Sequence, residues 1–399
     1  MTPKRFENLT AVYRDGLLDD TLPYWIDHCV DREHGGFIMA LDRDGSIMDT
    51  DKGMWQQGRF TWLLAHLYNN VEPRDEWLAL AKHGYDFIRK HGFDIDGQMW
   101  FHVTREGAPI RKRRYAFTET FAAIAFAALA KATGDDVIAQ QARDLYDFYR
   151  DYIKQGATPP KFTDTRPTKG IGVPMIDIVT CQVLRDTIDL PGTTERIDEC
   201  IEEIHRDFMN HEFEAVMETV GPNGEFIDHF DGRTLNPGHA IEAAWFIMHE
   251  AKHRNDSQLL DMGTTMLDWM WMRGWDDEYG GLLYFVDVKG LPCQEYWHDM
   301  KFWWPHCEAI IATLLAYQMT GDEKYAKWHT MVHDWTYAHF PDPPPEGGGD
   351  WFGYLHRDGR VSVHSKGNVW RGPFHLPRMQ LYCWQLAEEM KEAPPTNQP

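Results

Sequence analysis

The segment Asn236-Pro237-Gly238-His239-Ala240-Ile241-Glu242 combines a helix start with two side chains that can move protons. Asn236 is a favourable N-cap residue, and Pro237 suits the first helical position, where no backbone N–H donor is needed. His239 and Glu242 then share one face of the first turn. The positive end of the helix dipole favours a neutral histidine, which suits proton abstraction from carbon. A capped helix with a buried, hydrogen-bonded histidine is the alternative interpretation.

The same pattern recurs at three other predicted helix starts. They are Trp304-Pro305-His306-Cys307-Glu308-Ala309, Val173-Pro174-Met175-Ile176-Asp177 and Phe374-His375-Leu376-Pro377-Arg378. The first again joins proline, histidine and glutamate at the head of an apolar run, and the second has methionine in place of the histidine. The third places a histidine just before the proline that opens the last helix. We interpret the four segments as equivalent helix starts that point toward one site.

Composition restricts the classes of partner. Apolar residues make up 43% and charged residues 26% of the 399, which is typical of a globular chain. The formal net charge of -22 argues against nucleic acid and anionic membranes, because both bind basic surfaces. It also disfavours a phosphorylated substrate. The one basic run, Arg111-Lys112-Arg113-Arg114, is interpreted as a solvated turn.

Two further features bear on the compartment. Residues 1–6 lack the apolar segment of a signal peptide, and the longest apolar stretches, 121–130 and 309–317, are too short to span a bilayer. The six cysteines include no CxxC pair, which favours free thiols in a reducing environment. The sequence therefore predicts a cytoplasmic protein without a membrane segment.

An internal repeat of about sixty residues predicts the fold. Five segments with glycine, aromatic residues and a final x-Gly pair are each interpreted as a short β-hairpin, and amphipathic helical stretches lie between them. Their turn glycines are Gly45, Gly107, Gly224, Gly290 and Gly359. A sixth, degenerate unit is expected near residues 168–170.

Six units with two helices each predict an all-α protein, an (α/α)6 barrel with short β-hairpins at one rim. Residues 1–399 would then form a single catalytic domain, with a disordered tail at 390–399. An open solenoid has the same helix count. The convergent histidine-bearing helix starts favour closure around a pocket.

Seven motifs in this order, within residues 13–388, resemble the N-acylglucosamine 2-epimerase family. They are Trp55-Gln-Gln-Gly-Arg59, Val173-Pro-Met175, Asn236-Pro-Gly-His-Ala-Ile-Glu-Ala243, Gly280-Gly-Leu-Leu-Tyr-Phe285, Lys301-Phe-Trp-Trp-Pro-His-Cys-Glu308, Asp350-Trp-Phe-Gly-Tyr354 and Phe374-His-Leu-Pro-Arg378. The resemblance implies an (α/α)6 barrel, a homodimer and interconversion of N-acyl-D-glucosamine and N-acyl-D-mannosamine. It implies no cofactor or metal for the chemistry, with ATP as a possible allosteric activator.

The resemblance also assigns roles to residues. His239 and His375 would be the two bases, with Glu242 and Glu308 as supporting residues. The substrate contacts would be Arg59, Met175, Trp304, His306 and Arg378. Inverting a stereocentre beside a carbonyl agrees with this set, because two histidines on opposite faces of a planar enediolate can take and return the C2 proton. A cation such as Arg59 would stabilise charge on the sugar oxygen.

Three positions depart from the family pattern and bear on substrate choice and on the nucleotide effect. They are the segment Tyr296-Trp-His-Asp299, Asn368 and Pro373. Relatives of the barrel that act on unsubstituted mannose, glucose or cellobiose differ near Met175 and His306, where this chain follows the N-acyl pattern. A 2-epimerase or aldose–ketose isomerase of unsubstituted sugars is the alternative prediction.

Three other function classes fit the sequence less well. His249-Glu-Ala-Lys-His253 matches the HExxH zinc-protease pattern, but it lies about 15 Å along the same helix from His239, where a solvated C-terminus is expected. His306 and Glu308 could form a glycoside hydrolase site with Glu242, in which two carboxyl groups act as acid and base on either side of the scissile bond. A non-catalytic binding protein has no need of two histidines at helix starts.

Overall fold

Helices make up most of the structure, a computed structural model that describes residues 1–112, 117–154, 163–344 and 347–393. Fourteen α-helices lie in these ranges: α1 (Pro3–Asp15), α2 (Leu22–Cys29), α3 (Met54–Asn70), α4 (Asp75–His91), α5 (Phe117–Thr133), α6 (Asp136–Lys154), α7 (Gly172–Ile188), α8 (Thr193–Glu203), α9 (Phe230–Arg233), α10 (Pro237–Arg254), α11 (Ser257–Gly274), α12 (Trp303–Thr320), α13 (Glu323–His339) and α14 (His375–Glu392). Because α14 continues to Glu392, the tail predicted from residue 390 begins too early; residues 394–399 lie outside the described ranges.

Six helices form an inner ring. In chain order α3, α5, α7, α10, α12 and α14 each pack against the next. Ring contacts of Trp62 with Phe374 and of His66 with Tyr382 join α14 back to α3. Inner helices are buried on nearly every side, and residues 303–317 of α12 are buried without interruption. This closure confirms the (α/α)6 barrel and excludes the open solenoid.

The outer helices are amphipathic, as their exposed position requires. In α6 the buried residues follow the helical period, at 138, 139, 142, 145, 146 and 149. Helices α4, α6, α8, α11 and α13 pack on the inner helix that precedes each of them, while α1 packs on α14. None of the helices in the described ranges is long and apolar enough to cross a membrane.

Short antiparallel strands surround the starts of the inner helices. They are β1 (Ala40–Leu41), β2 (Ile47–Asp49), β3 (Lys52–Gly53), β4 (His102–Val103), β5 (Pro109–Arg111), β6 (Lys169–Gly170), β7 (Met209–Asn210), β8 (Ala215–Val216), β9 (Thr219–Val220), β10 (Thr234–Leu235), β11 (Val286–Asp287), β12 (Lys301–Phe302), β13 (Tyr354–Leu355) and β14 (Val361–Val363). The strand before an inner helix pairs with the following rim segment, in β3–β4, β6–β9, β10–β11 and β12–β13.

The predicted turns are present, but two predicted hairpins are not. All five turn glycines have φ between 72° and 94°, the left-handed region that glycine tolerates. Gly45, Gly107 and Gly359 connect the paired strands β1–β2, β4–β5 and β13–β14. The expected hairpins ending at Gly224 and Gly290 are wrong, because β9 and β11 pair instead with the upstream strands β6 and β10. The degenerate unit near 168–170 is therefore half of a pair between neighbouring units.

Buried ion pairs fix the rim. Three buried aspartates each bind a buried lysine and an arginine from a rim turn. Each aspartate follows the end of a helix, where the chain enters the rim. The sets are Asp31, Lys52 and Arg105; Asp276, Lys301 and Arg357; and Asp342, Lys366 and Arg43. In the third set Arg43 of the first hairpin lies 2.5 Å from Asp342, which follows α13. The rim is thus closed by the same kind of ion pair that connects its neighbouring units.

One part of the basic run can be placed. Arg111 lies in β5 with its guanidinium 4.9 Å from the Phe101 ring; its side chain is exposed, as expected, but the residue belongs to a strand and not to the predicted turn. Residues 113 and 114 lie outside the described ranges.

Candidate active site

The start of α10 has the cap predicted from its sequence. The Asn236 side chain accepts a hydrogen bond from the backbone N–H of His239 at 3.2 Å, and Pro237 is the first helical residue. The His239 side chain is one-third exposed. Its Nδ1 lies 3.0 and 3.1 Å from the two oxygens of Glu218, which follows β8. The carboxylate that orients His239 is therefore Glu218. The sequence pattern predicts Glu242 for this role, and that prediction is wrong.

His375 is held in a parallel way by a different helix. It is the first residue of α14, and its Nδ1 lies 2.7 Å from Oε1 of Glu308 on α12. A carboxylate accepts hydrogen bonds only, so Nδ1 of each imidazole carries the proton that it donates. That tautomer leaves Nε2 of His239 and of His375 as the basic atom. Within the described ranges neither Nε2 has a hydrogen-bond partner.

Trp304 brings the two histidines together. Its ring centroid lies 5.0 Å from that of His239 and 5.7 Å from that of His375. The indole is 8% exposed, so it forms an apolar wall against which both imidazoles rest. The sequence-predicted residues His239, His375 and Trp304, from three different helices, thus meet at one place.

Arg378 connects the two buried glutamates. Its Nη2 donates to Oε1 of Glu242 at 2.5 Å and to Oε1 of Glu308 at 2.7 Å. The second oxygen of Glu308 accepts from Nε1 of Trp245 at 2.8 Å. Glu242 is therefore a partner of Arg378 and not of His239. One guanidinium neutralises two carboxylates, and one of them, Glu308, in turn binds His375.

Arg59 lies in an aromatic box. Its guanidinium carbon is 4.2 Å from the ring centre of Phe121, 4.6 Å from that of Phe374 and 5.4 Å from that of Trp55. Within the described ranges it forms no ion pair, and its buried Nε has no hydrogen-bond partner. Burial lowers the pKa of Arg59 to about 9, although Glu242 opposes that shift. Arg59 is thus a cation with donors still available to a ligand.

The two histidines differ in protonation. Burial lowers the pKa of His239, but the adjacent Glu218 carboxylate, together with Glu242 and Glu308, outweighs burial, so the pKa lies above its usual value. The neutral His239 expected from the helix dipole is therefore not what its surroundings favour. Burial, and then the positive charge of Arg378, hold the pKa of His375 well below its usual value. The surroundings therefore favour the protonated form of His239 and the neutral form of His375.

His306 does not belong to the group. It is fully buried; its Nε2 accepts from the backbone N–H of Leu282 at 2.9 Å, and its Nδ1 donates to the carbonyl oxygen of Phe302 at 2.6 Å. Burial lowers its pKa to about 3. Because both ring nitrogens bind the backbone, the structure contradicts the expectation that His306 contacts substrate. Met175 is buried in the first turn of α7, and no hydrogen bond or ring contact joins it to the histidines.

Two groups resemble metal sites. Glu242, Glu308 and His375 have ligand atoms within 4.8 Å of one another, but Arg378 already supplies the cation that both carboxylates bind. In the HExxH pattern, Glu250 is fully buried and binds Arg185 at 2.8 Å, and Arg254 at 2.7 Å. The expected solvated helix end is therefore wrong for Glu250, although His249 and His253 are exposed.

Glu218 and Trp245 are the residues that sequence reasoning missed. Glu218 lies 21 residues before His239, beyond a turn and the short helix α9, so no helical spacing relates the two. Trp245 was one of 17 tryptophans and stands nine residues into α10. Only the packing of different elements brings them to the site.

Comparison with known proteins identifies the family. Residues 35–374 match the family model described as N-acylglucosamine 2-epimerase (GlcNAc 2-epimerase). The N-acylglucosamine 2-epimerase of Bos taurus is 35% identical, with 94% of this chain and 89% of the relative covered. That of Mus musculus is 33% identical, with 96% and 94% covered.

Among solved structures, cellobiose 2-epimerase from Spirochaeta thermophila has a TM-score of 0.83 at 19% identity. The likeness covers 97% of this chain and 98% of that one. It establishes the shared fold, an (α/α)6 barrel, along nearly the full length. By its motifs, its fold and its similarity to relatives, the chain belongs to the N-acylglucosamine 2-epimerase family.

Proposed function

We propose that this protein is a sugar 2-epimerase that interconverts N-acyl-D-glucosamine and N-acyl-D-mannosamine without a redox cofactor. The observation that carries the proposal is the pair of imidazoles beside Trp304. Each has its Nδ1 bound to a glutamate, and each keeps its Nε2 available. Two such bases meet the requirement of inversion at a carbon acid, which needs one proton acceptor and one proton donor on opposite faces.

The reaction proceeds on the open-chain sugar. One histidine removes the proton from C2, and the electron pair of that C–H bond moves toward the C1 carbonyl to give a planar enediolate. The other histidine, as imidazolium, delivers a proton to the opposite face of C2. The configuration at C2 is inverted. The histidine that removed the proton is now protonated, and the histidine that delivered one is neutral. After the product leaves, proton exchange with solvent returns the two imidazoles to their first protonation state, so that the forward reaction can repeat.

Arg59 is the group best suited to stabilise the enediolate oxygen. Arg378 is committed to Glu242 and Glu308, whereas Arg59 keeps unused donors in an aromatic box of low polarity. A hydrogen bond between a cation and a developing oxyanion is strong in such surroundings. Arg378 instead holds Glu308, and through it His375, in position.

The N-acyl substrate is favoured by similarity. N-acylglucosamine 2-epimerases are 33–35% identical to this chain along most of its length, whereas the cellobiose 2-epimerase structure is 19% identical. An epimerase of unsubstituted sugars would use the same pair of histidines, and it remains the second candidate.

A glycoside hydrolase is disfavoured by the geometry. Its two carboxyl groups must stand on either side of the scissile bond, and one must be protonated to act as the acid. Glu242 and Glu308 instead bind the same nitrogen of Arg378, so no sugar bond fits between them.

The test is proton NMR in D2O with N-acetyl-D-mannosamine, D-mannose and cellobiose in separate samples. We expect formation of the 2-epimer of the N-acetyl sugar with deuterium at C2. Conversion of the unsubstituted sugars alone would keep the mechanism and replace the substrate. Absence of both epimer and C2 exchange for all three sugars would overturn the proposed function.

Single histidine variants test the two-base mechanism. His239→Ala and His375→Ala are each expected to lose epimerisation by about 10²- to 10⁴-fold, the usual contribution of a general acid or base. Each variant keeps one base, so each is expected to exchange the C2 proton of only one of the two epimers. The epimer that exchanges should differ between the two variants. His249→Ala is the matched control, because His249 is exposed at the other end of the same helix. Near-normal turnover in either active-site variant would contradict the assignment.

Three further properties complete the proposal by family similarity. ATP would act as an activator and not as a reactant, the protein would form a homodimer, and the compartment would be the cytoplasm. Initial rates with ATP and with a non-hydrolysable analogue test the first property, because an activator works in both forms. Light scattering after size exclusion tests the second.

A further inference from the structure

The two catalytic histidines are bound to carboxylates of different electrostatic character. Glu308 accepts hydrogen bonds from the Arg378 guanidinium and from the indole N–H of Trp245, so a cation neutralises its charge. Glu218 has no cationic side chain within ion-pair distance in the described ranges, and its one ion-pair partner there is His239. The side chain of Glu218 is about one-quarter exposed, so its charge is only partly screened by water.

The charges that face the histidines can be counted element by element. Helix α3 contributes Arg59 and α14 contributes Arg378; α10 contributes Glu242 and α12 contributes Glu308. These two cations and two anions balance. Glu218, from the strand segment after β8, is the remaining negative charge, and it binds His239. The uncharged neighbours of His239 are the Asn236 amide, 3.1 Å from Nδ1, and the Trp304 ring, which the Tyr284 ring contacts in turn.

We propose that Glu218 is a positioning residue that fixes the proton on Nδ1 of His239 and makes His239 the resting acid, while His375 is the resting base. The free enzyme is then prepared for the epimer whose C2 proton faces His375. The other epimer requires the minor form of the enzyme, in which the proton has moved from His239 to His375. This inference rests on the proposed function, since it assigns starting states to the two bases of the epimerase.

The directions of the two histidine pKa shifts agree with the roles inferred from the hydrogen bonds. Glu218 raises the pKa of His239 against the effect of burial, whereas burial and Arg378 lower that of His375. Two groups whose surroundings separate their pKa values are a common device by which an active site fixes which group is acid and which is base.

The variant Glu218→Gln tests the inference through the pH dependence of kcat/KM. In the wild type, the acid limb reports protonation of His375 and the alkaline limb reports loss of the proton from His239. Removing the carboxylate is expected to move the alkaline limb down by about one to three pH units and to leave the acid limb in place. Glu212→Gln is the matched control, because Glu212 is exposed in the same segment and carries the same charge. A lower rate with both limbs unmoved would overturn the proposal.

A second readout does not depend on turnover. In protein labelled with ¹⁵N-histidine, the His239 ring signals, assigned by their loss in His239→Gln, are expected to titrate at lower pH in Glu218→Gln than in the wild type. An unchanged titration would overturn the role of Glu218 even if the enzyme is active. If the wild type neither epimerises any of the sugars nor exchanges their C2 protons, the proposed function fails. The His239 titration would still test the pairing of Glu218 with His239. Circular dichroism of each variant confirms that it is folded.

Discussion

At the scale of single residues, the two arginines of the site differ in their partners. Arg378 binds two buried glutamates, while Arg59 rests on aromatic rings with donors unused. Removing Arg59 should therefore cost catalysis more than stability. We expect Arg59→Met to lower kcat/KM by about 10²-fold or more, the usual effect of removing one oxyanion donor, with little change in the melting temperature. Steady-state kinetics and thermal unfolding of the same sample check both parts.

Arg378→Met is the contrasting variant. It leaves Glu242 and Glu308 buried without their cation, so it is expected to destabilise the fold by about 3–5 kcal/mol. It should also lower activity, because Glu308 orients His375. If Arg59→Met unfolded the protein while Arg378→Met left its stability unchanged, the roles given to the two arginines would be exchanged.

At the scale of the helix, the position of a residue within the first two turns decides which way its side chain points. Arg59, Glu242 and Glu308 are each the sixth residue of an inner helix, and all three face the site. His239 is the third residue of α10, but His306 is the fourth of α12. One residue turns the side chain by about 100°, so the same Pro-His-Glu pattern directs His306 to the rim backbone.

Gln57 shows that the fourth position has a structural role. It is the fourth residue of α3, and its amide accepts from the backbone N–H of Phe37 and donates to the carbonyl of Phe37, both at 2.8 Å. His306 binds the equivalent backbone N–H of Leu282. Both side chains tie the preceding rim segment to an inner helix.

The equivalence predicts that His306→Gln is tolerated. The amide oxygen can accept from Leu282 as that of Gln57 does from Phe37, so we expect kcat/KM within about threefold of the wild type, since the change leaves the site's donors and bases in place. His306→Ala leaves that buried N–H unpaired and is expected to cost about 1–3 kcal/mol or more of unfolding free energy. Denaturant unfolding and kinetics of both variants check this. A large loss of kcat/KM in a stable His306→Gln would restore His306 as a substrate contact.

These cases show what local sequence determines. The cap at Asn236, the turn glycines and the burial of the inner helices follow from nearest-neighbour chemistry, and each was predictable. Strand partners were not, because β9 and β6 are far apart in sequence and pair only after the helices between them have packed. The pairing of Glu218 with His239 belongs to the same class, since it depends on where two elements meet.

At the scale of the whole molecule, closure of the ring requires contacts between the first and last units. Arg43 binds Asp342, and Trp25 donates to Asp350 at 2.9 Å. Tyr13 of α1 binds two histidines of α13, His329 at 3.1 Å and His333 at 2.8 Å. Helix α1 thus covers α14 from the outside and supplies the outer partner of the last inner helix. Contacts that join the chain ends make the stability of the barrel a property of the whole ring.

The histidines in that closure predict how stability depends on pH. Burial holds the pKa of His333 near 4 and that of His329 well below its usual value, and both residues are almost fully buried. In the unfolded chain each titrates near 6.5, so below that pH the unfolded state binds more protons than the folded state. The stabilisation is therefore complete above about pH 6.5 and is lost as the pH falls toward 4. Each such histidine is expected to contribute up to about 1.4 kcal/mol per pH unit in that range.

Urea unfolding between pH 7.5 and 5 measures this slope, and a variant assigns it. His333→Gln cannot titrate, so its stability is expected to fall with pH less steeply than the wild type, by the equivalent of about one proton. His205→Gln removes an exposed histidine and should keep the wild-type slope. Equal slopes in all three proteins would mean that His333 is protonated to the same extent in the folded and unfolded chains. In that case the contact between α1 and α13 would not be what makes closure of the barrel sensitive to acid.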